Sequence, residues 1–128
     1  TILLVEDEEM VRGLMRQSLA GAGYRVIDAP GPAAGLTLAE SFRGPIQLLI
    51  TDVVMPGMSG RELADGVTRK RRDIKVLYMS GHADTTLAES GILQPEVAFL
   101  QKPFTPAALI EKVREILDTN GMTRKACE

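Results

Sequence analysis

The chain has 128 residues, 45% hydrophobic, 25% charged and 4% aromatic, a composition that fits one globular domain with an aliphatic core and excludes disordered, collagen-like and disulfide-scaffold proteins. With 15 basic and 17 acidic residues the net charge is −2, and the one basic tract, Arg69-Lys70-Arg71-Arg72, is too short to grip nucleic acid, so the expected partners are proteins. No apolar run approaches the roughly 20 residues of a spanning helix, no signal peptide is recognisable, and Cys127 has no second cysteine to pair with, so a soluble, cytoplasmic domain without membrane insertion is expected.

Apolar runs alternate with amphipathic stretches, which predicts an α/β domain with a mostly parallel sheet covered on both faces. The first strand is predicted over Ile2 to Val5. A helix comes next, from about Glu8 to Ala20, with Met10, Val11, Leu14, Met15 and Leu19 at helical spacing, and stops at Gly21-Ala22-Gly23. The second strand is Tyr24 to Asp28, and Pro32 opens a second helix reaching Ser41. Gln47 to Thr51 is the third strand, and Ser59 caps a third helix that runs to about Lys70. The fourth strand is Lys75 to Ser80. Asp84 to Ser90 is read as a short or irregular fourth helix, because Gly91 and Pro95 interrupt the segment before the last strand. The fifth strand is Val97 to Gln101. The fifth helix has Thr105 as its cap and Pro106 at its first position, and its apolar stripe of Leu109, Ile110, Val113, Ile116 and Leu117 ends near Asp118. Residues 1–118 are taken as the domain and 119–128 as a C-terminal tail.

Ligands of open parallel sheets bind beyond the carboxyl ends of the strands, so the residues at those ends matter most. They are Glu6 and Asp7 after the first strand, Asp52 after the third, Ser80 at the end of the fourth, and Lys102-Pro103 after the fifth. Glu8 and Glu9 need no role beyond the favourable placement of acids at a helix N-terminus. Asp7 and Asp52 are different: carboxylates from separate strands repel at close range and call for a cation between them. A hard divalent ion such as Mg2+, held by one or two carboxylates together with water and phosphate oxygens, fits this sparse ligand set, whereas no Cys/His cluster points to zinc. A lysine beside such an ion needs further negative charge, which phosphate supplies, so Lys102 and Ser80 read as ligands of phosphoryl oxygens.

Taken together, Leu-Leu-Val-Glu6-Asp7-Glu8, Ile-Thr-Asp52-Val-Val-Met-Pro56-Gly57-Met-Ser-Gly60, Met79-Ser80-Gly81 and Phe99-Leu-Gln-Lys102-Pro103-Phe104 resemble the response-regulator receiver domain of two-component signalling. The resemblance covers about residues 2 to 118. It implies a flavodoxin-like fold, a doubly wound five-stranded parallel sheet in the order 2-1-3-4-5, and a phosphoacceptor switch that takes a phosphoryl group from a histidine kinase or histidine phosphotransfer domain. Carried over by position, it makes Asp52 the acceptor, and Asp7, Asp52 and the backbone carbonyl of Val54 the magnesium ligands, with Glu6 acting through water. It makes Ser80 and Phe99 the switch pair and Lys102 the bridge between acceptor and phosphate. Met10 and Leu14 become candidate anchors for the donor, although both could equally be buried against the sheet. A homodimer through the fourth helix, fifth strand and fifth helix is the further partner option. No enzyme activity beyond self-phosphorylation and dephosphorylation is expected.

Departures from the family pattern also carry expectations. Glu6 stands where aspartate is more frequent, and Phe99 lacks a phenolic hydroxyl, so its two states would differ only in packing and desolvation. Val54 offers no hydrogen bond to orient a hydrolytic water, which predicts slow self-dephosphorylation with His82 as a modest modulator. A phosphohydrolase of the haloacid-dehalogenase type would need an aspartate two residues after Asp52, where Val54 stands. A flavodoxin-like cofactor binder would not place four carboxylates in its phosphate loop. A degenerate receiver acting only in docking would have no need of Asp7, Asp52, Ser80 and Lys102. The chain reads as a stand-alone regulator or a piece of a larger protein; Thr1 standing directly at the first strand suggests an excised piece, from the end of a hybrid sensor kinase or from a transcription factor cut from its DNA-binding half.

Overall fold

Runs of Val, Ile and Leu build five short strands that are largely covered on both faces. They are β1 (Ile2–Val5), β2 (Val26–Ala29), β3 (Leu48–Asp52), β4 (Lys75–Ser80) and β5 (Ala98–Gln101). The computed structural model describes residues 1–53, 57–80, 98–101 and 104–127. The helices are α1 (Glu9–Gly21), α2 (Pro32–Ser41), α3 (Gly60–Lys70) and the C-terminal helix α4 (Pro106–Cys127). The helix expected over Asp84 to Ser90, and Val97 at the start of the fifth strand, lie outside the described residues.

All strand pairs are parallel, and the sheet order is β2-β1-β3-β4-β5, as the resemblance implies. Alternate residues of each strand face opposite sides, which splits the core in two. Leu3, Val5 and Leu49 pack with Ala39 of α2 and with Leu63, Ala64 and Val67 of α3. Ile2, Leu4, Leu48 and Ile50 pack on the other face with Met15 and Leu19 of α1 and with Leu109 and Val113 of α4. The domain is therefore doubly wound, with helices on both faces of the sheet. Among the described residues no helix is long and apolar enough to cross a membrane.

Both predicted caps are present. The Ser59 hydroxyl accepts the Glu62 N–H at 3.1 Å while the Glu62 carboxylate accepts the Ser59 N–H at 3.0 Å, and Thr105 Oγ1 accepts the Ala108 N–H at 3.0 Å. Several boundaries differ from expectation by a residue or more. β2 begins at Val26, because the Tyr24 N–H closes the end of α1 by donating to the Leu19 carbonyl at 3.1 Å, after a turn through Gly23 at φ 101°. β3 includes Asp52, which pairs with Met79. The last helix does not stop at Asp118: the loss of its apolar stripe ended the sequence prediction, but backbone hydrogen bonding propagates without one, and no proline interrupts 119–127.

At the opposite edge of the sheet, Arg71 ties α3 to the end of α2. Its guanidinium donates to the carbonyls of Ala39 at 2.9 Å, Phe42 at 2.5 Å and Gly44 at 2.7 Å, leaving few donors of its fork unused.

Candidate functional site

Val5 and Thr51 are register partners on adjacent strands, so the residues just beyond them emerge side by side. Glu6, Asp7 and Asp52 each bring a carboxylate oxygen into one cluster, all within 4.8 Å of one another. Glu6 is 1% exposed and Asp52 7%, while Asp7 is open to solvent. Two like charges at that separation repel by on the order of 3 kcal/mol at an effective dielectric near 20. A cation among them removes that cost. Among the described residues the donors are three carboxylates with no histidine or cysteine, which suits a magnesium-type ion rather than zinc, so this donor set fits the ion expected from the sequence.

The surrounding backbone fixes these acids in place. Glu6 donates its N–H to the Ala29 carbonyl at 3.2 Å, and its Oε2 accepts the Glu8 N–H at 3.1 Å, which also satisfies one of the otherwise orphan donors at the start of α1. Arg12 reaches back from α1, donating from Nη1 to the Glu6 carbonyl at 3.0 Å and from Nε to Asp28 Oδ2 at 3.1 Å. On β3, the Thr51 hydroxyl donates to the Asp52 carbonyl at 3.1 Å, and the Val53 N–H donates to the Met79 carbonyl at 2.9 Å. The Gly60 N–H then donates to the Val53 carbonyl at 2.7 Å, bringing the start of α3 beneath the acid cluster.

Phe99 pairs in register with Tyr78 across β4 and β5, their ring centroids 6.0 Å apart and inclined at 41°. It is half-buried and packs on the same core face as α2 and α3. On α1, Met10 and Leu14 are 78% and 62% exposed, which removes the reading that buries them against the sheet. Met15 and Leu19 carry the buried side of that helix instead. The apolar arc of α1 thus faces both ways, with Met10 and Leu14 on its solvent-facing part.

Of the residues singled out in the sequence, Glu6, Asp7 and Asp52 come together. Ser80 ends β4 opposite Gln101. Val54, Lys102, Pro103 and His82 lie outside the described residues. Arg12, Asp28 and Gly60 escaped the sequence reading as parts of the site. Arg12 had one signal: a cation near the start of a helix opposes the helix dipole, so it needs another reason to be there.

Comparison with known proteins identifies the family and agrees with the fold. The family model for the response regulator receiver domain matches residues 2–114. The response regulator receiver protein CpdR of Brucella abortus is 34% identical over 116 residues, covering 91% of this chain and 95% of that protein. The sensor kinase CckA of the same organism is 35% identical over 118 residues, 92% of this chain but 12% of the kinase. The chain also spans only 26% of the transcriptional regulator DctD of Pseudomonas aeruginosa, so it matches a small part of these longer relatives. Among solved structures, a response regulator receiver protein from Sinorhizobium medicae superposes with a TM-score of 0.78 at 29% identity, covering 91% of this chain and 93% of that one. The chain belongs to the response regulator receiver domain family of two-component systems, whose members act as phosphoacceptor signalling switches.

Proposed function

We propose that this chain takes a phosphoryl group from a phosphohistidine onto Asp52 in a magnesium-dependent reaction, and that residues 1–118 are the receiver unit. The observation that carries this reading is the convergence of Glu6, Asp7 and the buried Asp52 at neighbouring strand tips. An Asp52 carboxylate oxygen attacks the phosphorus, the donor's P–N bond breaks, and the imidazole nitrogen leaves with the electron pair and takes up a proton. The product is an aspartyl phosphate. Magnesium, held by Asp7 and Asp52 with the Val54 carbonyl and with Glu6 through water, would supply positive charge to the phosphoryl oxygens. Lys102 bridges acceptor and phosphate, a role carried by family position. The new phosphate adds nearly two negative charges, so a hydroxyl at Ser80 gains a charge-assisted hydrogen bond by turning toward it, and the space it leaves favours inward movement of Phe99.

The partner in this reading is a cytoplasmic histidine kinase or phosphotransfer domain, docked on the exposed Met10 and Leu14 beside the acid cluster. A homodimer through the helix expected at Asp84 to Ser90, the last strand and the last helix is compatible with it. Val54 and His82 carry the proposal of a slow self-dephosphorylation. Any kinase activity would reside outside these residues.

Incubation with a small phosphodonor, with and without magnesium, tests the reading. The parent chain gains one phosphoryl mass only with magnesium, and Asp52→Asn gains none. Robust labelling of Asp52→Asn at another residue overturns the acceptor assignment.

A further inference from the structure

We propose that Arg12 is a positioning residue for cation binding: its guanidinium, braced on Asp28 of β2, fixes the peptide between Glu6 and Asp7 and thereby aims the Asp7 carboxylate. The inference rests on the acid cluster being a magnesium site, and adds to it a residue that touches no ligand. The β1 ladder ends at Val5, so beyond that residue the sheet no longer sets the direction of the chain. The Glu6 N–H is still held by Ala29 and the Glu6 side chain by the Glu8 N–H. The Glu6 carbonyl, which belongs to the peptide that carries Asp7, is held by Arg12 Nη1 at 3.0 Å.

Arg12 is itself held. Its side chain is 17% exposed, and Nε donates to Asp28 Oδ2 at 3.1 Å. Arg16 adds a second, longer charge contact to the other oxygen of Asp28 at 3.9 Å. Two acceptors on separate segments are met by two arms of one rigid planar fork. A lysine ammonium has three donors but one nitrogen, and it cannot occupy both places.

Geometry and charge predict opposite signs here. A cation beside three carboxylates competes with the metal, so a purely electrostatic Arg12 would weaken ion binding and its removal would tighten it. A positioning Arg12 strengthens ion binding, and loss of such an outer support lowers metal affinity by about 10–100-fold.

Calorimetric titration of Mg2+ into the whole chain, with far-UV circular dichroism as a check of folding, separates these. The parent binds, Asp7→Asn abolishes binding, and folded Arg12→Gln binds about tenfold or more weakly. Arg12→Lys fails to restore the affinity, and Asp28→Ala weakens it in the same direction by removing the brace. Unchanged or tighter binding by Arg12→Gln overturns the proposal, as does full rescue by lysine. If Arg12→Gln does not fold, Asp28→Ala decides, and parental affinity in that variant overturns the proposal. A parent chain that binds no Mg2+ overturns the metal-site reading and this inference with it, whereas a binding parent with an indifferent Arg12 overturns this inference alone.

Discussion

Gly60, the first residue of α3, sits directly against the backbone of Asp52, the last residue of β3. A β-carbon at Gly60 would fall well inside contact with the Asp52 carbonyl oxygen, 2.9 Å from its carbonyl carbon and 3.1 Å from the Val53 α-carbon. Every one of these neighbours is main chain, so no side chain can swing away. The strand tip that presents Asp52 and the helix that supports it are therefore packed backbone to backbone, which only glycine permits.

Gly60→Ala is accordingly expected to cost about 1–3 kcal/mol through forced backbone movement. Because that movement displaces Asp52, magnesium affinity falls in the same variant. Urea denaturation followed by a magnesium titration checks both. Parental values for each would mean that the strand tip accommodates a methyl group.

Arg71 anchors the opposite edge of the sheet, through the carbonyls of Ala39, Phe42 and Gly44. Arg71→Ala leaves these without their charged donor and is expected to lower stability by about 2 kcal/mol or more. Magnesium affinity stays at the parental value, since the acid cluster lies at the other ends of the strands. The denaturation midpoint and a calorimetric titration report the two quantities separately.

Burial first, and the nearby Asp65 carboxylate second, raise the Tyr78 hydroxyl above its ordinary value of 10.0, with Arg61 acting in the other direction. The folded chain then keeps this proton at a pH where the unfolded chain has lost it. The stability so contributed is fully present below pH 10.0 and is lost as pH rises through the higher folded value. Urea midpoints taken from about pH 8 to about pH 11 should fall more steeply for the parent than for Tyr78→Phe. Parallel curves would remove Tyr78 as the source.

Met10 and Leu14 contribute exposed apolar surface and little to the core. Joint replacement by serine is expected to shift stability by no more than about 0.5 kcal/mol. Labelling by a small phosphodonor stays intact, while transfer from a phosphohistidine domain slows about tenfold or more, the scale of losing central anchors of an interface. Unimpaired transfer from the protein donor would move the docking surface elsewhere.

Much of this domain could be read locally. Continuous aliphatic runs located the strands, the Ser59 and Thr105 caps placed two helix starts, and Asp7 and Asp52 fell at strand ends because strand length is set by short-range pattern. The strand order came through family resemblance, since periodicity says nothing about which strands are neighbours. Tertiary structure alone decided the remainder. The meeting of Glu6, Asp7 and Asp52 depends on β1 lying beside β3. The brace from Arg12 to Asp28 joins residues 16 apart on different elements, and the closeness of Gly60 to Asp52 depends on how the chain turns into α3. The same sequence stripe on α1 sends Met15 inward and Met10 outward, because an apolar arc broader than its footprint on the sheet leaves one side uncovered. Hydrophobic spacing encodes which residues share a face, whereas contacts between distant segments exist only once two faces have been packed together.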